Sequence, residues 1–303
     1  MSTQRQCPLV RRLLIATRGP ERPTVALEVA LRLARTLRLQ LHVLRVLPGR
    51  VGLSVLDASG AESFGAPGWA DSVRKETSAW VSGVISTGLP EDQVQVRTGR
   101  FEDMVAAEAT ALAPDIIVVS DAGRADGAAL QIVRVTDTPV LVARSLNACR
   151  EIVVAATNLK RPEYPVVRRA CAVAEQLGSS LIAVHNVHPR ETISASGIVW
   201  PVSAPVVIDS ADAAARRLDR LRGQFDAPVQ TVLSQESDAS DAILRAADLS
   251  NAQLIVVGAR RRSWLHRLLR RGVAHQLIER SQRCVLVCPV GDEARRAGPP
   301  AEV

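Results

Sequence analysis

Short apolar runs alternate along this chain with longer stretches of helical period. RLLIAT (Arg12 to Thr17), IIVVS (Ile116 to Ser120) and VLVAR (Val140 to Arg144) are too short for helices and rich in β-branched residues. Runs of this kind, lacking strict alternation, suit strands buried on both faces. Between them PTVALEVALRLARTL (Pro23 to Leu37) sets Val25, Val29, Leu33 and Leu37 on one helical face, and Phe101 to Ala113 does the same with Phe101, Val105 and Leu112. Both read as helices covering a sheet. Further strands are expected near Gln40 to Val46 and Val94 to Thr98.

The same order then repeats. IVVAAT (Ile152 to Thr157), LIVVG (Leu254 to Gly258) and VLVCP (Val285 to Pro289) echo the first three runs, with Thr17 and Thr157 140 positions apart and Ser120 and Gly258 138 apart. Helices are expected at Pro165 to Gln176, Ala211 to Phe225, Asp241 to Ser250 and Val273 to Arg280. Strands are expected at Leu181 to Val187, Val229 to Ser234 and Cys284 to Cys288. One ancestral unit has been duplicated. The pattern predicts an α/β protein of two tandem doubly wound domains, each on a five-stranded parallel sheet, over residues 8–146 and 150–291. Gly/Pro/Ser-rich stretches at 48–68 and 189–205 interrupt both copies after the second strand, as binding flaps or as silent insertions.

The 303 residues suffice for two cores, and 47% hydrophobic with 23% charged residues is a globular composition. No apolar run approaches the roughly 20 residues of a membrane span, and the N-terminus has no stretch suited to a signal peptide, so a cytoplasmic protein is expected. Five cysteines without a C-x-x-C pair favour neither a disulfide framework nor a zinc site. Cys284 and Cys288, four apart on a strand, read as small hydrophobes on one face. His185 and His188 lack a ligand set around them and read as a solvated strand terminus.

The segments RRLLIATRGPERPTVALEVALRLARTLRLQLHVLRVL and ESDASDAILRAADLSNAQLIVVGARR resemble the universal stress protein family in its tandem form. The resemblance implies that the two halves pair through their last strands, giving a pseudo-dimeric monomer or a dimer of tandems. It also implies a place for ATP or AMP, because nucleotide-binding members carry G-x2-G-x9-G-[S/T] after the fourth strand and an Asp after the first. Here Gly258 holds the first glycine position, but Arg261 and Arg271 stand at the other two and Gly272 at the hydroxyl position. The first half has Ser120 and Gly123 and is then seven residues shorter before its last strand, while Arg18 and Asn158 replace the aspartates. Asn158 retains hydrogen-bonding capacity toward a base or ribose; Arg18 offers no acceptor.

GARRRSWLHRLLRRG carries Arg260, Arg261, Arg262, Arg267, Arg270 and Arg271 and no acid. An anion pocket, a docking surface for nucleic acid or acidic lipid, and a solvated face all fit it. The net charge of +7 favours anionic partners, but 3% aromatics give no stacking platform for nucleic acid. Neither a G-x-S-x-G elbow nor a G-x4-G-K-[S/T] loop occurs, and Asp241 reads as a helix cap or first-turn acid. The sequence therefore predicts a non-enzymatic stress-response regulator that binds a protein partner or an anionic ligand, with no obligatory cofactor. The candidate nucleotide or anion ligands are Thr157, Asn158, Gly258, Arg260, Arg261, Arg262, Arg271 and Gly272. A nucleotide sensor using the second half, and salt-sensitive docking to a membrane or nucleic acid, are the alternatives.

Overall fold

The computed structural model describes residues 12–18, 24–48, 69–84, 90–120, 128–144, 151–159, 163–187, 211–260 and 272–290. The first half runs β1 (Arg12–Thr17), α1 (Thr24–Leu37), β2 (Gln40–Leu47), α2 (Trp69–Val84), β3 (Val94–Thr98), α3 (Phe101–Leu112), β4 (Ile116–Ser120), α4 (Ala128–Thr136) and β5 (Val140–Ala143). The second runs β6 (Ile152–Ala156), α5 (Pro165–Gln176), β7 (Ser180–Asn186), α6 (Ala211–Arg222), β8 (Val229–Ser234), α7 (Ala239–Ser250), β9 (Leu254–Arg260), α8 (Val273–Arg280) and β10 (Cys284–Val290).

All ten strands form one sheet, ordered β3-β2-β1-β4-β5-β10-β9-β6-β7-β8. Each half is parallel within itself. They join where β5 and β10 pair antiparallel, Leu141 opposite Leu286 and Val142 opposite Val285. The last-strand pairing implied by the family resemblance is thus present inside one chain. It leaves neither β5 nor β10 as an open edge.

Strand alternation divides the core between two faces. Leu13 and Ile15 point to the face built with Leu27 and Ala30 of α1, Val167 and Ala170 of α5, and Leu218 of α6. Leu14 and Ala16 point to the other, with Val105 of α3, Ile132 of α4, Ile243 of α7 and Leu277 of α8. Helices on both faces explain why the strands read as continuous apolar runs.

Two helices, α2 and α4, were not evident in the pattern. The inward stripe of α2 is Val73, Thr77 and Val81, and its middle member is polar. Thr77 is nevertheless buried, because its hydroxyl donates to the Val73 carbonyl at 2.6 Å and accepts from Arg45 Nη1 at 3.1 Å. The same Arg45 nitrogen reaches Glu76 Oε2 at 3.1 Å, so α2 supplies both partners of the Nη1 of a buried arginine of β2, whose Nε has none. The stretches 48–68 and 189–205, apart from Pro48, lie outside the described residues.

Candidate ligand-binding site at the strand switch points

In an open parallel sheet, ligands settle in the crevice beyond the carboxyl ends of the strands where the strand order reverses. Here that point falls between β1 and β4 in the first half and between β6 and β9 in the second. Arg18 and Ser120 flank the first crevice; Thr157, Asn158 and Gly258 flank the second.

At the first crevice the side chains contact one another. The Arg18 guanidinium lies 4.5 Å from the centroid of the Phe101 ring at the start of α3, and its Nη2 is 3.5 Å from Glu102 Oε1. A cation over an aromatic face and beside a carboxylate satisfies both groups without a ligand. At the matching positions of the second half stand Asn158, Ala239 and Ser240. No cation, ring or carboxylate recurs there.

The second crevice is built by a pinned loop. Thr157 Oγ1 accepts the backbone N–H of Leu159 at 3.3 Å, and the Thr157 carbonyl accepts from His185 Nδ1 at 2.8 Å. Leu159 and Tyr164 both have positive φ, 54° and 42°, and both are buried. Left-handed backbone is costly for such side chains, so their burial holds the backbone at those two positions. Tyr164 then leads into α5 through Pro165, a residue suited to a first helical turn. Between Thr157 and Leu159, Asn158 is exposed at the sheet edge. His185 is therefore no solvated strand terminus, as its sequence neighbourhood suggested; it is buried on β7 and fixes the loop that presents Asn158. His188 lies outside the described residues.

Gly258 has a packing reason of its own. A Cβ there would stand 2.7 Å from Val290 Cγ2 and 2.8 Å from Val166 Cγ2, so the end of β10 and the first turn of α5 close over it. Only glycine admits that approach. Gly272 caps α8 with extended backbone and makes no side-chain contact; its carbonyl accepts from the His275 and Gln276 N–H groups. Thr157 and Asn158, just past the end of β6, and Gly258 on the adjacent β9 thus share one sheet edge, and Gly272 opens α8. Arg261, Arg262 and Arg271, and the side chain of Arg260, lie outside the described residues.

Residues with no sequence signature complete the edge. Asn186 at the end of β7 donates to the Glu236 carbonyl and accepts the Glu236 N–H, both at 2.9 Å, and so fixes the connection from β8 to α7. Asp238 caps α7 by accepting the Ser240 N–H at 3.0 Å, and this bond holds its carboxyl below the usual carboxylate range. Asp241 takes the other role expected of it, as a first-turn acid, with Arg280 Nη2 2.6 Å away. An S/T/D-x-x signal is common enough in sequence that only the geometry distinguishes cap from neighbour.

Cys284 and Cys288 are both buried in the core, and burial pushes the Cys288 thiol up to about 12. Such thiols are inert. Cys284 Sγ instead accepts the Arg144 N–H at 3.4 Å, and the Arg144 guanidinium donates to the Ile278 carbonyl near the end of α8. Arg144 follows β5, so these contacts lock the first half onto the second. Among the described residues no group of three or more His, Cys, Asp or Glu side chains is placed to hold a metal, and no helix is long and apolar enough to cross a membrane.

The model of the universal stress protein family matches residues 10–144 and again 149–289, and the chain belongs to that family. Its fold is similar to that of a universal stress protein from Archaeoglobus fulgidus DSM 4304, at 15% identity and a TM-score of 0.62 over 93% of this chain and 97% of that one. It is also similar to a functionally unknown protein from Pseudomonas aeruginosa PAO1, at 16% identity and a TM-score of 0.56 over 92% of each chain. No curated protein matches the sequence.

Proposed function

We propose that this protein is a cytoplasmic, non-enzymatic stress-response regulator in which the first half is scaffold and the second half binds an anionic ligand or a partner. The observation that carries this reading is the unequal pair of switch points. Arg18 stacks on Phe101 beside Glu102 at the first crevice, whereas the second presents Asn158, with Ala239 and Ser240 at the positions of the ring and the carboxylate. The binding residues would be Thr157, Asn158, Gly258 and Gly272 from the sheet edge and helix start, with Arg260, Arg261, Arg262 and Arg271 supplying charge in place of the missing glycines. An adenine nucleotide is the first anion to test, because an asparagine amide both donates to and accepts from a base or ribose.

Native mass spectrometry of gently purified protein, with and without added ATP or AMP, reads ligand and assembly together. One nucleotide per chain, lost when Arg260, Arg261 and Arg262 are replaced by Gln, supports a sensor using the second half. A bare mass at one or two chains under all conditions removes the nucleotide and leaves a macromolecular partner of the arginine stretch. Nucleotide retained by the triple Gln variant removes those arginines from the site.

A further inference from the structure

The antiparallel seam creates a feature that neither half has alone. On one face α4 reaches across it to pack on β5, β9 and β10. On the other face α1 stays with the first half and α5 with the second, and a cavity of about 100 Å³ lies between them. Its floor includes Leu141 and Leu286, the pair that faces across the seam, and its walls include Leu33 and Leu37 of α1 and Val173 and Leu177 of α5. Leu33 and Val173, like Leu37 and Leu177, are 140 positions apart, so the groove is two copies of one apolar stripe set face to face.

The stripe is broken at one place by a charge. Val29 of α1 corresponds to Arg169 of α5, and both line the groove, with Arg32 from α1 as a second cation. Arg169 is half-buried and Arg32 exposed, and neither makes a hydrogen bond or ion pair among the described residues. A half-buried guanidinium beside an apolar trough is an anion site with a hydrophobic neighbour. Asp115 and Glu151 also line the groove, and Asp115 already accepts the Arg12 N–H at 2.9 Å.

We propose that the seam groove binds a small amphiphilic carboxylate, its aliphatic part on Leu141 and Leu286 and its head on Arg169 and Arg32. The site is separate from the switch-point crevice, since none of Thr157, Asn158, Gly258 or Gly272 lines it. Apolar pockets with a few convergent polar groups are the usual form of small-molecule sites. This one belongs to the tandem pairing, with each half contributing one wall.

Titration calorimetry with octanoate at low salt tests it. The expected result is saturable binding of one octanoate per chain, weakened roughly tenfold by Arg169→Val, the loss of one charge-assisted contact, with octanol binding unchanged. Arg169→Val installs the residue already present at the matching position of α1, so its fold is secure. Leu33→Trp, which fills the trough, should abolish binding of both compounds. Absence of saturable octanoate binding to the wild type overturns the proposal. So does octanoate binding that Arg169→Val leaves intact, or octylamine binding as tightly as octanoate.

Discussion

The two halves share a topology and differ most at their carboxyl edges. Arg18, Arg100, Phe101, Glu102 and Ser120 in the first correspond to Asn158, Asp238, Ala239, Ser240 and Gly258 in the second. In the first, a long cation folds over a ring and a carboxylate; in the second, an amide, a cap and a glycine leave the edge without those contacts. Once duplicated and joined through β5 and β10, a unit can lose binding capacity on one side and still supply half the sheet. On the proposed reading, the arrangement separates scaffold from site within one chain.

The comparison breaks most sharply at the seam that both halves share. Leu286 is 1% exposed, and Leu286→Ala should cost about 3 kcal/mol. Urea denaturation followed by tryptophan fluorescence and by circular dichroism should show one coincident transition shifted to lower urea. Two separated transitions would mean that the halves fold as independent units.

Next is the glycine position. Gly258→Ala forces a methyl between Val166 and Val290 and should cost about 2 kcal/mol, whereas Ser120→Ala at the matching site should change stability by less than about 0.5 kcal/mol. Adding Val166→Ala to Gly258→Ala should recover part of the loss. If Gly258→Ala melts like the wild type, the glycine is not there for packing.

The helix caps give a smaller and oppositely signed pair. Asp238→Ala should lose about 1 kcal/mol, while Arg100→Ser, which gives α3 the cap it lacks and removes a cation from a helix N-terminus, should gain about 0.5 kcal/mol. Because the folded state lowers the Asp238 pKa, its contribution is complete above the ordinary carboxylate pKa and is lost as pH falls through the lowered folded value. The stability difference between wild type and Asp238→Ala should therefore shrink on acidification below about pH 4. A difference that is constant from neutral to strongly acidic pH would exclude the capping role.

Arg18→Ala should have the least effect on stability, below about 1 kcal/mol, since that side chain is 47% exposed. Its value lies in function. If the Arg18 contacts are what silence the first crevice, the variant should acquire weak affinity for adenosine, which is neutral, by calorimetry while the thermal midpoint barely moves.

Much of the architecture was legible because it rests on burial periodicity. Strands buried on both faces and helices with one apolar stripe advertise themselves, and the duplicated order marked the halves. Where the stripe carried a satisfied polar residue, as at Thr77 in α2, the signal failed. The candidate edge was only partly legible. Asn158 and Gly258 could be named from the family resemblance, yet the roles of His185, Asn186, Val166 and Val290 depend on residues that meet only when β6, β7, β9 and β10 lie side by side. The reading of Gly258 as a phosphate position also acquires a second cause, the close approach of two valines.

The sequence by itself determined the duplication, the α/β class and the loss of the family's glycines and aspartates, because each is written in local period and residue type. Only the tertiary structure decided that Arg18 stacks on Phe101, that His185 is buried against Thr157, and that the two last strands leave a groove between α1 and α5. Those outcomes depend on contacts between residues far apart in the chain, and no local pattern encodes which side chains the assembled sheet will bring within reach.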